Sequence, residues 1–280
     1  MGSLRDLLES RDIRPKKGLG QNFLVDPVYL RKIAEAAELS RDDLVLEIGP
    51  GTGNLTEHLL ARAGRVIAVE LDRRMVDLLR QRFAGVETLT LIQGDILSVD
   101  LPALLQPHLG KFRAYKVVAN LPYYVTSAAL RLLLESPTRA ALAALTVQWE
   151  VARRICAQPG EMSLLAVAVQ WYAVPRIVTK VPAGAFSPVP KVDSAVLRLD
   201  MRAELVAAIP GEEALFRVVR AGFSQRRKQL RNSLSAGLSL PPTQVEGTMR
   251  AVGVEPTRRA ETLGLAEWAA LARAFADAFR

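Results

Sequence analysis

A short apolar run, Leu44–Ile48, leads directly into the turn Gly49-Pro50-Gly51-Thr52-Gly53, with Glu47 just before it. Glycines at alternate positions let the chain turn tightly and let a ligand approach the backbone. The dinucleotide fingerprint Gly-x-Gly-x-x-Gly places its last glycine one residue later, so the spacing here differs from an NAD-type turn. Glu70 closes the next apolar run, where a carboxylate can accept both hydroxyls of a ribose. Asp95 follows Gly94 after a third run and can accept a hydrogen bond from an adenine amino group. Glu47 either bonds nearby backbone or holds the amino-acid end of a cofactor, directly or through water. In open α/β sheets ligands bind beyond the carboxyl ends of the strands, so these residues predict a pocket for an adenosine-containing methyl donor.

Asn120-Leu121-Pro122-Tyr123 ends a fourth run and carries a more specific chemistry. An exocyclic adenine nitrogen is a poor nucleophile, because its lone pair is delocalised into the ring. The Asn120 side-chain oxygen and the Leu121 carbonyl can accept its two hydrogens and hold it in line with an electrophilic methyl group. Pro122 stiffens the turn, and Tyr123 offers a ring for the base to stack on. The base must leave its own stack to reach such a pocket. Catalysis would then be mainly positional and electrostatic. In Phe186-Ser187-Pro188-Val189-Pro190-Lys191-Val192-Asp193-Ser194 the prolines predict an extended loop. Phe186 there either stacks on the opposite face of the base or anchors the loop in the interior.

The elements that must position these residues alternate. Residues 27–39, 54–63 and 73–83 read as helices, the first with Asp26 as N-cap and Pro27 at its first position. The apolar runs 44–48, 66–69, 88–92 and 116–119 read as strands between and after them, and residues 100–115 as a long connector. Further strand-like runs occupy 141–147, 164–171, 176–181 and 195–199. This order predicts an α/β domain over residues 1–203 built on a mostly parallel sheet with helices on both faces. From Glu212 onward the spacing is helical, including FRVVRAGFSQRRKQLRNSL and LAEWAALARAFADAF, which predicts a small all-α domain over residues 204–280.

The chain has 280 residues, 37 Lys and Arg against 29 Asp and Glu, and a formal net charge of +8, a surplus that favours a polyanionic partner. Residues 202–280 carry 12 basic and 8 acidic side chains, and the cluster Arg226-Arg227-Lys228 with Arg231 suits a phosphate backbone. Lys16 and Lys17 belong to a second basic cluster near the N-terminus. Trp149, Trp171 and Trp268 read as core or interface residues. With Cys156 as the only cysteine, no intrachain disulfide or cysteine-based metal cluster can form, and no metal site is expected. His58 and His108 give little basis for a Ser-His-Asp hydrolase. No apolar run is long enough to span a bilayer and the first residues lack a signal-peptide core, so the expected setting is the cytoplasm, with a monomer as the default.

At this level of detail the chain resembles the bacterial small-subunit (16S) ribosomal RNA adenine dimethyltransferases, the KsgA/RsmA family. The likeness runs from about residue 11 to the C-terminus through KKGLGQNFL (16–24), EIGPGTG (47–53), Glu70, Gly94-Asp95, NLPYY (120–124), FSPVPKVDS (186–194), FSQRRKQLRNSL (223–234) and RRAETL (258–263). The resemblance implies a Rossmann-like class I methyltransferase domain that uses S-adenosyl-L-methionine, followed by a small all-α C-terminal domain. It implies dimethylation of the amino groups of two adjacent adenosines in the 3′-terminal hairpin of 16S rRNA, four methyl groups in all. The partner would be that rRNA within the small subunit or its precursor, with a late role in subunit assembly. Carried over by position, Asn22 and Leu24 would line the cofactor site, and Gly49 and Gly51 would pack on its methionine part. Glu70 would hold the ribose, and Asp95, followed by Ile96, the adenine. Asn120 would touch both cofactor and target, with Tyr123 and Phe186 sandwiching the base. Where the family has a longer turn with a Tyr-Gly-Arg element, this chain has the shorter Gln158–Leu164. The rival expectations are a large-subunit rRNA methyltransferase conferring antibiotic resistance and a non-catalytic rRNA-binding assembly factor.

Overall fold

The computed structural model describes residues 20–112 and 114–276. Lys16 and Lys17 therefore lie outside the described residues. A seven-stranded sheet runs in the order β4-β3-β2-β5-β6-β9-β7. Its strands are β2 (Asp43–Ile48), β3 (Arg65–Glu70), β4 (Leu89–Gln93), β5 (Ala114–Asn120), β6 (Leu142–Gln148), β7 (Ala173–Val181) and β9 (Ser194–Met201). The pairs β2–β3, β3–β4, β2–β5 and β5–β6 are parallel, and β9 runs antiparallel to β6. The Rossmann-like class expected from the sequence is thus present. Strand order reverses between β2 and β5, the topological switch point at which such sheets open a crevice.

Helix α1 (Pro27–Ala36) precedes β2, and α2 (Asn54–Leu60), α3 (Arg73–Arg82), α4 (Leu101–Leu105) and α5 (Thr126–Glu135) connect the parallel strands. Asp26 caps α1 by accepting from Val28 N at 2.8 Å, with Pro27 at the first turn. Asp72 caps α3 in the same way. β2 is buried along its whole length, as expected for a central strand covered on both faces. Ile33, Val45, Leu59, Val66, Val118 and Val196 form one apolar cluster on that sheet with no surface accessible to water. The two-residue strands β1 (Phe23–Leu24) and β8 (Phe186–Ser187) pair antiparallel, Phe23 with Ser187 and Leu24 with Phe186. The Ser187–Pro188 peptide bond is cis.

The described residues separate into two compact units, residues 20–152 with 176–201 and residues 153–175 with 202–276. The second unit contains the end of α6 (Trp149–Ile155), then α7 (Leu164–Tyr172), α8 (Glu212–Phe223), α9 (Leu230–Leu238), α10 (Pro242–Ala251) and α11 (Leu265–Phe275). Its core includes Leu215, Val218, Leu234, Met249, Trp268 and Leu271, all fully buried. Trp171 is likewise fully buried, and Phe223 lies 5.4 Å from Trp268 between ring centroids.

Two expectations about this region are corrected. The run at 164–171, read as a strand, is helix α7. Ser163 caps it by accepting from Ala166 N at 3.1 Å, and its continuous apolar character carries no period that separates a buried helix from a buried strand. The basic stretch read as continuous helix is broken: α8 ends at Phe223 and α9 begins at Leu230, so Arg226, Arg227 and Lys228 occupy a turn. The shortened turn at 158–164 is held to the RRAETL segment, because Gly160 N and Met162 N both donate to the Glu261 carbonyl, at 2.8 and 3.1 Å.

Candidate methyl-donor and target site

An open cavity lies beyond the carboxyl ends of β2, β3, β4 and β5. Asn22, Leu24, Gly49, Gly51, Glu70, Asp95, Ile96, Asn120, Leu121, Pro122, Tyr123 and Phe186 all line it, so the sequence-derived candidates for donor and target converge on one space.

Glu70 is 6% exposed at the tip of β3. Its Oε2 accepts from Gly51 N at 3.0 Å and its Oε1 from Asp72 N at 2.8 Å. Burial raises its pKa, and these backbone donors oppose the rise. The carboxylate is therefore fixed before any ligand arrives, with acceptor capacity left on both oxygens. The glycine turn comes within reach because Gly51 adopts φ +56°, and a Cβ there would meet the Phe23 ring at 3.0 Å. Asp72 is held in turn by Arg74 and Gln21, and the Arg74 guanidinium brings its carboxyl down to about 2.

Glu47 behaves differently. It is 1% exposed, and neither carboxylate oxygen has a hydrogen-bond partner. Burial pushes its pKa up to about 8; the Thr56 hydroxyl is near enough to oppose that rise but makes no hydrogen bond itself. A buried, unpaired carboxylate is costly unless a cation or donor meets it. Of the two roles open to Glu47 in the sequence, a bond to neighbouring backbone is absent. Over Gly49, at φ +67°, a Cβ would meet no protein atom within 4 Å, so the turn leaves open space beside this acid. The pre-fixed Glu70 carboxylate and the open space over Gly49 fit S-adenosyl-L-methionine. Asp95 is exposed at the mouth, its Oδ1 accepting from Leu97 N at 3.0 Å, and Ile96 is 6% exposed beside it. No group of His, Cys, Asp and Glu among the described residues could hold a metal ion.

At the end of β5, Asn120 Nδ2 donates to the Asn22 carbonyl at 3.2 Å. This bond uses one of the two amide N–H groups and leaves Oδ1 as an acceptor. Tyr123 is half-buried, and its hydroxyl bonds Ser194 Oγ at 2.8 Å. Phe186 is 2% exposed and packs in the same apolar cluster as Leu24, so the interior-anchor alternative describes most of its ring, although it also borders the cavity. Residues that sequence reasoning did not select also line the site, notably Gln21 and Tyr124.

In the second unit, Arg226, Arg227 and Lys228 are exposed and have no ion-pair partner among the described residues. Arg231 is set apart from them, because it pairs with Glu246 at 2.9 Å. No helix among the described residues is long and apolar enough to cross a membrane.

A family model described as ribosomal RNA adenine dimethylase matches residues 13–277. A ribosomal RNA small subunit methyltransferase A from Moorella thermoacetica is 45% identical over 273 residues, 95% of this chain and 94% of the relative. The protein of the same name from Dehalococcoides mccartyi strain CBDB1 is 42% identical over 276 residues, 99% of this chain and 94% of the relative. Among solved structures, a dimethyladenosine transferase from Plasmodium falciparum superposes with a TM-score of 0.78 at 26% identity, covering 91% of this chain and 97% of that one. The 23S rRNA methyltransferase ErmE superposes with a TM-score of 0.72 at 32% identity, covering 90% and 99%.

Proposed function

Since the chain belongs to the ribosomal RNA adenine dimethylase family, we propose that its cavity performs S-adenosyl-L-methionine-dependent dimethylation of two adjacent adenosines in the 3′-terminal hairpin of 16S rRNA. The observation that carries this reading is the Asn120 amide, locked by the Asn22 carbonyl with its oxygen left to accept. When bound, the cofactor supplies an electrophilic methyl group on a sulfonium centre. Asn120 Oδ1 and the Leu121 carbonyl accept the two hydrogens of the target amine and hold its nitrogen toward that methyl group. Tyr123 is steadied by Ser194 and supports the base from one side. Glu70 and Asp95 fix the ribose and adenine of the cofactor, and Gly49 and Gly51 leave room for its methionine part. No strong base is required at the target nitrogen, since two neutral acceptors suffice to orient it.

The exposed Arg226, Arg227 and Lys228 provide the phosphate-binding surface, with the protein acting as a cytoplasmic monomer on the small subunit or its precursor. Primer extension on rRNA from a deletion strain tests the assignment. Loss of adjacent dimethyladenosine marks near the 3′ end of 16S rRNA is expected. Loss of a mark only in 23S rRNA would instead place the chain with ErmE-type enzymes.

A further inference from the structure

Tyr123 and Tyr124 are neighbours in sequence and diverge at the cavity. The Tyr123 hydroxyl is tied to Ser194 at the start of β9. Tyr124 makes no such bond and is 56% exposed, the one aromatic ring among the large exposed apolar side chains of the described residues. It nevertheless borders the cavity, together with Gly20, Leu71 and Asp95. The flank of its ring rests on Gly20, where a Cβ would sit 3.1 Å from Tyr124 Cδ1. Gly20 has φ +56°, so glycine both permits the turn and lets the backbone pass beneath the ring. Partial burial raises the pKa of the Tyr124 hydroxyl, and the negative charges of Asp95 and Glu70 push in the same direction. Leu71 and Leu97, 45% and 41% exposed, add apolar surface near the same strand tips.

An exposed aromatic ring over a cavity is poorly used in water and gains when a flat apolar surface covers it. Glu70 and Asp95 define the adenosine end of the cavity, and the purine bound there offers such a surface. We infer that Tyr124 is a cofactor-positioning residue whose ring caps the adenosine end of the cavity, an inference that rests on the cofactor site proposed above. The second aromatic of NLPYY then serves the donor, as the first serves the target.

Calorimetry of the full chain with S-adenosyl-L-homocysteine, a probe that cannot turn over, tests this. Tyr124→Ala should weaken binding about ten-fold, the scale of a lost aromatic contact, and Tyr124→Phe should stay within about two-fold of the parent chain. In turnover, Tyr124→Ala should raise KM for S-adenosyl-L-methionine while kcat at saturation holds. Binding of a 16S hairpin RNA should be unchanged. Because the ring is largely exposed, the melting temperature without ligand should also stay put, which separates capping from folding. Unchanged probe affinity in Tyr124→Ala would overturn the inference. So would loss confined to RNA binding, which would assign the ring to a base of the substrate. Equal losses in Tyr124→Phe and Tyr124→Ala would shift the role to the hydroxyl and overturn the cap. Failure of the parent chain to bind the probe would remove the cofactor site itself, a result distinct from all of these.

Discussion

At the tips of β2, β3 and β4 the cavity presents Glu47, Glu70 and Asp95, whereas at the tip of β5 it presents an amide and a backbone carbonyl. The carboxylate half suits a ligand with hydroxyls and a positive charge, and it works by charge and burial. The β5 half works by dipoles fixed at one angle, through the bond from Asn120 Nδ2 to the Asn22 carbonyl. A contrast repeats within the carboxylates. Glu70 is satisfied in advance by two backbone donors, while Glu47 is equally buried with none. One acid is already partnered and the other is not. The same interior can thus hold a preorganised acceptor and an unpartnered acid on the neighbouring strands β3 and β2.

The largest expected effect lies in the β5 half. Asn120→Ala should lower kcat about 100- to 1000-fold, the scale seen when one oriented polar group is removed from a reacting centre. Cofactor affinity should fall much less. A tritiated-methyl assay on undermethylated small subunits reads the first and calorimetry the second. Equal losses in both would erase the division between the halves.

Next comes Glu70→Ala, which should weaken cofactor binding by about 1.5–3 kcal/mol through loss of a charged acceptor. An unchanged dissociation constant would move the ribose out of this half. Glu47 should show itself through protons. Its carboxyl is raised to about 8, so at pH 7 it is mostly protonated without ligand, and a bound ammonium favours the carboxylate. Binding at pH 7 should therefore release a proton, read as a dependence of the calorimetric enthalpy on buffer ionisation heat. Glu47→Gln should reduce that release, and an identical release in the variant would break the contrast with Glu70. The smallest change concerns the basic turn. Replacing Arg226, Arg227 and Lys228 with Ala should reduce the slope of log K against log salt for RNA binding by roughly 2–3. The slope should remain as it is if the turn makes no phosphate contact.

The carboxylate half of the cavity was largely legible in the sequence, because its residues sit at the ends of short apolar runs and strand ends follow from pattern. The partner of the Asn120 amide was not, since the Asn22 carbonyl approaches only after the chain has folded back. That Glu47 has no backbone partner was also invisible, because an acid with a partner and one without look the same in a string of letters. Helix α7 was misread for a physical reason: Leu164-Leu165-Ala166-Val167-Ala168-Val169 is apolar on every side, and only the Ser163 cap distinguishes it. The break after Phe223 was hidden because the apolar spacing continues across the basic turn. Phe186 kept two roles open until its pairing with Leu24 showed how much of it is interior.

The small ribbon of Phe23–Leu24 with Phe186–Ser187 bears on how the protein is made. One strand leaves the ribosome early in synthesis, and the other follows only after most of the sheet has emerged. Such distant pairing is slow to form and late to be rewarded. The wall shared by Leu24 and Phe186 cannot close on a nascent chain that ends short of residue 187. A partly synthesised copy would carry the glycine turn and both glutamates yet lack a sealed chamber, so competence should arrive in one step, late in translation.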